Sequence, residues 1–279
     1  VFPNFVFHQR GNAAIWIDRN FVEPAFLERL TDADGLFAES NCQIIKDQRK
    51  VKIGRLSLAI AGQPCSLFVK RYNAFSLRYT LASPFIRSGA IRSLQGAAIL
   101  RTAQIASARP LAAVENRRGG ALTKSFFVSE EITGGRTVDA YWRHHLVGVE
   151  GHEGAVRRRL FLAGLAQLFQ NLHGGNLYHN DLKDTNILTV AGADGHHFQF
   201  VLVDLDGVAS VARLSRRRRV KNLVQIYRTL GRYLRRAEKM YFLRKYLGAE
   251  FNQRLVRRRL TQSILVESDR LNHLNRRYA

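Results

Sequence analysis

From Cys42 onward the order of apolar and polar residues turns sheet-like. Cys42–Lys46, Val51–Ile60 and Cys65–Tyr72 read as three strands, with Asp47–Lys50 and Ala61–Pro64 as the turns between them. The period then lengthens, and residues from about Ile86 to Ile105 predict a helix with an apolar stripe through Ile91, Leu94, Ala98 and Ile105. Pro110–Glu115 and Ser125–Glu130 return to strand character across the loop Asn116-Arg117-Arg118-Gly119-Gly120. The first 35 residues are ambiguous: Ala14–Ile17 fits a short strand and Glu23–Leu30 a short helix. Thr133-Gly134-Gly135 reads as a hinge. Beyond it the pattern is mainly helical, at Ala155–Leu172, Arg217–Arg236, Lys239–Leu247 and Phe251–Leu271, with strands on either side of a turn at Gly192–Gly195. Ser215 suits an N-cap, and Val220, Leu223, Val224, Tyr227 and Leu230 form a core-facing stripe. The pattern predicts an α+β chain: residues 1–131 a mostly antiparallel sheet with one main helix, residues 132–279 helical.

Composition adds little to the fold and more to the partners. The 279 residues, 46% of them hydrophobic, suffice for one large domain or for two lobes sharing a cleft. No run reaches the roughly 18 to 20 apolar residues of a membrane span. The start, Val1-Phe2-Pro3-Asn4-Phe5, lacks a basic and apolar leader, so no signal peptide is expected. Cys42 and Cys65 have no CxxC spacing and are expected as reduced thiols on neighbouring strands, in the cytoplasm. Lys and Arg outnumber Asp and Glu by 44 to 22, giving a net charge of +22. Such a surplus favours an anionic partner, whether nucleic acid, acidic membrane, or a phosphorylated or carboxylated substrate. No helix-turn-helix, zinc-finger or aromatic RNA-binding pattern accompanies it, so nucleic acid is not expected.

The chemistry concentrates in His179-Asn180-Asp181-Leu182-Lys183-Asp184-Thr185-Asn186 and in Val203-Asp204-Leu205-Asp206. Phosphoryl transfer needs four electrostatic tasks done by separate groups. Asp181 is placed to orient a substrate hydroxyl and Lys183 to contact the phosphoryl oxygens. Asn186 and Asp204 suit magnesium, a hard cation held by few protein ligands plus phosphate oxygens. His179 is expected to pack beneath the loop. Taken singly, each short piece reads as a polar turn; the combination does not. Lys70, inside the apolar strand Leu67-Phe68-Val69-Lys70-Arg71-Tyr72, is explained if it reaches the α- and β-phosphates of a nucleotide; the alternative is a strand-end cation facing solvent.

These residues resemble the protein-kinase-like fold and, more narrowly, the lipopolysaccharide kinase (Kdo/WaaP) family. The resemblance rests on Val69-Lys70-Arg71-Tyr72-Asn73, Ala108-Arg109-Pro110-Leu111-Ala112, Asp181–Leu188, and the Asp-x-Asp pair Asp204 and Asp206. Arg217–Leu223 is similar to the basic helix that follows in that family, and coverage runs from about residue 40 to 235. It implies two lobes with ATP and magnesium in the cleft. Lys70, Glu130 and Ile132 would lie on the nucleotide side, the last two through backbone groups. The implied activity is phosphorylation of Kdo or heptose in the lipopolysaccharide inner core, or of its lipid-linked precursor, at the cytoplasmic face of the inner membrane.

The chain departs from the kinase pattern in places. No G-x-G-x-x-G separates the first two strands, and no Asp or Glu lies between Asp47 and Glu115, so the helix glutamate that pairs with the strand lysine is missing. Gln95 is the nearest polar substitute. Asn180 replaces the arginine of the kinase HRD sequence, and Asn222 stands where an Asp supports the catalytic loop. The segment after Asp204 is too short for a peptide-binding activation segment, which argues for a small acceptor. Arg213, Arg216 and Arg217 could hold the acidic groups of a saccharide, and the Arg216–Arg219 run could equally meet anionic lipid. Tyr141, Trp142 and His144-His145 offer faces to a sugar ring, with helix packing as the alternative for Trp142. Two other readings stay open: an inactive kinase-like scaffold in envelope assembly, and a kinase for another small alcohol.

Overall fold

The computed structural model describes residues 2–74 and 86–277. Contacts divide the chain into two compact units, Val1–Ala98 with Ala108–Ile132, and Ile99–Ser107 with Thr133–Ala279.

The first unit is built on a seven-stranded sheet in the order β1-β2-β6-β7-β5-β4-β3. The strands are β1 (Phe5–Arg10), β2 (Ala13–Asp18), β3 (Gln43–Asp47), β4 (Val51–Ile60), β5 (Gln63–Asn73), β6 (Pro110–Arg118) and β7 (Ala121–Glu130). Every neighbouring pair is antiparallel. Period-two patterning explains why β4 forms: Leu56, Leu58 and Ile60 are buried while Arg55, Ser57 and Ala59 are exposed. The buried face packs with Ile15, Ile17, Leu67, Val69, Phe126 and Val128, and the helix α1 (Pro24–Thr31) adds Phe26, Leu27 and Leu30.

Three features of the sheet differ from the sequence expectation. Strand β1 was not expected; among the described residues it pairs only with β2, and its own residues are at most half-buried, so its alternation is weak. Both hairpin loops contract. Ala61 and Gly62 turn the chain at φ +51° and +74°, and Gly119 and Gly120 at +57° and +79°. Paired left-handed residues match the twist of the flanking strands, so Gln63, Pro64 and Asn116–Arg118 join the ladder. Cys42 and Cys65 do not lie on neighbouring strands: Cys42 precedes β3, Cys65 is in β5, and β4 runs between them. Both thiols are half-buried, and burial pushes their pKa values up.

Strand β3 forms one edge. All five of its residues are exposed, including Ile44 and Ile45, and its pairing with β4 shifts at a bulge between Ile44 and Lys46. Asp47 and Lys52 form an ion pair at 3.0 Å beside it.

Helix α2 (Gly89–Thr102) is shorter than expected and buries Ala90, Leu94, Ala97 and Leu100, while Ile91 and Ala98 are only half-buried. Gln104 at φ +56° stops it: Ile105 N–H returns to Leu100 C=O (2.9 Å) and Gln104 N–H to Arg101 C=O (3.1 Å), a Schellman closure that puts Ile105 beyond the helix.

The second unit contains α3 (Val138–His145), α4 (Gly151–Gly174), α5 (Arg216–Arg228), α6 (Arg236–Leu247) and α7 (Arg254–Arg277). It also holds a small sheet, β8 (Arg136–Thr137), β10 (Ile187–Ala191) and β11 (Phe198–Leu202), and a pair of β9 (Leu177–His179) with β12 (Val208–Ser210). Phe161 centres an aromatic core with Tyr141, Trp142, Phe198 and Phe200. Tyr141 and Trp142 are 6% and 1% exposed and His145 stacks on Tyr141, so these rings are core and not a sugar platform. The expected Arg217–Arg236 helix breaks at Thr229, which takes φ −100°, ψ −90° and caps Gln225 C=O with its hydroxyl at 2.9 Å. The last helix starts at Arg254, after a short helical turn over Gly248–Asn252. Among the described residues no helix is long and apolar enough to cross a membrane.

Candidate active site

The loop between β9 and β10 is held by side chains as much as by backbone. His179 is fully buried. Its Nδ1 faces the Asp181 amide at 3.1 Å, and its Nε2 faces Val203 C=O at 3.3 Å. An amide can only donate and a carbonyl only accept, so the proton sits on Nε2. Burial holds His179 below its ordinary pKa, opposed chiefly by the Asp204 carboxylate. The histidine thus orders the loop from beneath, as its position suggested.

Asp181 Oδ2 receives Lys183 Nζ at 2.8 Å and Asn186 Nδ2 at 3.3 Å. Asn186, itself buried, also donates to Asp181 C=O at 2.8 Å, and its own carbonyl accepts from Val203 N–H at 3.1 Å. That bond ties the loop to the segment carrying Asp204. Asp204 follows β11 in the left-handed region at φ 60°, ψ 52°, a conformation uncommon for a residue with a Cβ. Asp184 lies under the loop at 3% exposure, and burial together with the nearby Asp139 carboxylate raises its pKa. Four of the expected residues, Asp181, Lys183, Asn186 and Asp204, therefore belong to one linked segment of the second unit.

The other expected residues lie in the first unit. Lys70 is mid-strand in β5, paired with Ile53 and Phe127, with Nζ 4.7 Å from the Tyr72 ring centre. Tyr72 in turn meets Ser93 of α2 by a 2.8 Å hydroxyl contact. The Glu130 amide donates to Arg109 C=O at 2.9 Å, and its carboxylate pairs with the Arg109 guanidinium at 3.3 Å. Ile132 is half-buried at the end of this unit.

A model of the lipopolysaccharide kinase (Kdo/WaaP) family matches residues 66–246. The chain belongs to that family. Every site residue named so far lies inside the matched span. No curated protein matches the chain significantly. A solved structure of WaaP in complex with acyl carrier protein superposes with a TM-score of 0.63 at 19% identity, covering 90% of this chain and 98% of that one. It shows that the two share a fold.

Of three supports of this family member's loop, sequence reasoning noted the position of one and missed two. Asn222 on α5 supports the loop from the noted position, but as a donor: its Nδ2 donates to His179 C=O at 2.5 Å, a bond an ionised Asp could not make. Gln225 and Thr229 were missed. Gln225 Oε1 accepts from Leu182 N–H (3.0 Å), and its Nε2 donates to Asn180 C=O (3.1 Å) and Asp181 Oδ1 (3.4 Å). Thr229 Oγ1 accepts from the Asp184 amide at 3.4 Å. The spacing Asn222, Gln225, Thr229 puts all three on one helix face, a polar stripe that could have been read beside the apolar one.

The basic run is more engaged than its composition suggested. Ser215 caps α5 as expected, accepting from the Arg218 amide at 3.4 Å. Arg216 donates to Arg259 C=O (3.2 Å) and Ser263 Oγ (2.8 Å) on α7. Arg218 lies 4.4 Å over the Tyr178 ring, and Arg219 bonds to the Tyr246 hydroxyl. Lys221 reaches Asn180 Oδ1 at 2.5 Å. A groove of about 1800 Å³ runs from Asp181 and Lys183 past Arg217, Arg228 and Arg232 to Arg270. Arg216 and Arg217 line it; Arg213, exposed, is not part of its lining.

Proposed function

We propose that the chain is a two-lobed, protein-kinase-like phosphotransferase that moves phosphate from ATP, with magnesium, to a Kdo or heptose hydroxyl of the lipopolysaccharide inner core. The observation carrying this reading is the loop itself. A carboxylate, an ammonium and an amide are hydrogen-bonded together, and a second carboxylate follows on the adjoining segment. Asn186 and Asp204 fit the cation: Asn186 commits its Nδ2 to Asp181, which leaves its amide oxygen, and Asp204 adds a carboxylate. When bound, magnesium neutralises phosphate charge and ATP supplies the phosphoryl group. Asp181 orients the acceptor hydroxyl and takes its proton, and its two oxygens are fixed by three donors for that task. Lys183 places its charge at the Asp181 carboxylate, where the phosphoryl oxygens arrive. Lys70, and the backbone at Glu130 and Ile132, serve the nucleotide.

The arginines beside Asp181 favour an acidic acceptor. Arg217 is the member of the expected trio best suited to it, since Arg216 is bonded to α7 and Arg213 is outside the groove. The same surface suits an anionic membrane, and a peripheral position at the inner membrane follows. Flotation with anionic liposomes at physiological salt tests that part: recovery of the protein with the lipid is expected, and its absence would sink the membrane association. The activity is tested by ATP consumption with magnesium, with and without deacylated lipopolysaccharide core. Core-stimulated turnover is expected, with mass analysis locating the new phosphate. No turnover across an acceptor panel would favour a non-catalytic scaffold.

A further inference from the structure

Donors and acceptors around α5 form one directed chain, and its polarity can be fixed without assuming any side-chain flip. Leu182 N–H can only donate, so the Gln225 atom facing it is Oε1, and Nε2 faces Asn180 C=O and Asp181 Oδ1. His179 C=O can only accept, so Asn222 presents Nδ2 to it (2.5 Å) and to Gln225 Oε1 (3.0 Å). Asn222 Oδ1 then faces His173 Nε2 at 3.4 Å, which must carry the proton. His173 Nδ1 accordingly accepts from the Tyr246 hydroxyl at 2.7 Å, and the Tyr246 oxygen accepts from Arg219 Nε. Burial pushes the pKa of His173 down to about 4, which keeps it neutral, and its partners at the two ring nitrogens select the tautomer.

We infer that Gln225 is a positioning residue for the Asp181 carboxylate, its amide orientation locked by the relay Arg219–Tyr246–His173–Asn222. Each hydrogen of the relay points toward Asp181, so breaking the far end loosens one of the contacts that hold the Gln225 amide, while Leu182 N–H and Asn180 C=O still engage it. The reading rests on the phosphotransfer assignment of Asp181, and the test separates the two. Gln225→Leu removes both functions of the amide. Gln225→Glu keeps an acceptor for Leu182 N–H but removes the donor to Asp181. Tyr246→Phe keeps the buried ring and cuts the relay.

Steady-state kinetics should show kcat lowered about 30-fold in both Gln225 variants, with KM for MgATP within about twofold of wild type. Tyr246→Phe should lower kcat about threefold. Hydrogen exchange at the Leu182 amide should quicken in Gln225→Leu and stay slow in Gln225→Glu. Unchanged kcat in Gln225→Glu, where wild type is active and Asp181→Ala is not, would overturn the inference. A wild type without turnover would overturn the phosphotransfer reading instead. The exchange arm then decides: quickened exchange at Leu182 in Gln225→Leu supports the clamp, and unaltered protection there overturns it. Should Gln225→Leu fail to fold, Gln225→Glu carries the kinetic test and Tyr246→Phe the exchange test, with the same two outcomes.

Discussion

Lys70 and Asp181 are held by contrasting means. Lys70 sits in the middle of an antiparallel strand, its backbone laddered on both sides and its neighbours Leu67 and Val69 sunk in an apolar core. Asp181 has no ladder; side chains from its own loop and from α5 fix it. A backbone ladder tolerates many sequences, because every residue brings the same donor and acceptor. A side-chain lattice does not, because each member is a particular amide, imidazole or carboxylate. The first unit should therefore respond to loss of volume, and the loop to loss of single hydrogen-bonding atoms.

The sharpest break is expected at Asp181. Asp181→Ala should lower core-dependent ATP turnover about 10³-fold and leave the thermal midpoint close to wild type, since the residue is half-exposed. Phe126→Ala should do the reverse. It empties a fully buried site beneath the sheet and is expected to cost about 4 kcal/mol in chemical denaturation, while turnover per folded molecule persists.

Acid sharpens the contrast from another side. His173 supports the loop from α4, and its folded pKa is lowered to about 4. The unfolded chain therefore binds this proton first as pH falls below its ordinary value of 6.5. Stability from this group is complete above that value, declines as pH drops through the interval, and is lost near pH 4, a change of up to about 3 kcal/mol. Denaturation curves between neutral pH and pH 4 should show the slope, and His173→Gln should flatten it.

The two means of support also decide what could be read in advance. Strands β4 and β5 were legible because alternation is written residue by residue. Strand β1 was not, since an edge hairpin buried on one neighbour needs little apolar pattern. The grouping of Asp181, Lys183 and Asn186 was legible because the three lie close together in the sequence. Gln225 lies 44 positions from Asp181, and only the packing of α5 under the loop brings the two together. The partners of the arginine run were hidden for a related reason. Its charge was visible, but the tyrosines and the α7 hydroxyl that engage Arg216, Arg218 and Arg219 are tertiary neighbours.

The smallest expected effect belongs to the sheet. Ala61 holds φ +51° in a hairpin turn, a conformation asparagine adopts with less strain. Ala61→Asn should raise stability by about 0.5 kcal/mol, read as a small rise in melting temperature with turnover unaltered.

The bulge in β3 bears on solubility. An edge strand presents unpaired amides and carbonyls that a second molecule can zip onto, and exposed Ile44 and Ile45 would make this one adhesive. The irregularity between Ile44 and Lys46 breaks the even spacing such zipping requires, and Lys46 and Asp47 set charges beside it. One surplus residue in a short strand is thus expected to disfavour polymerisation through the sheet. Deleting Ile45 should convert a monodisperse sample into one that sediments as oligomers.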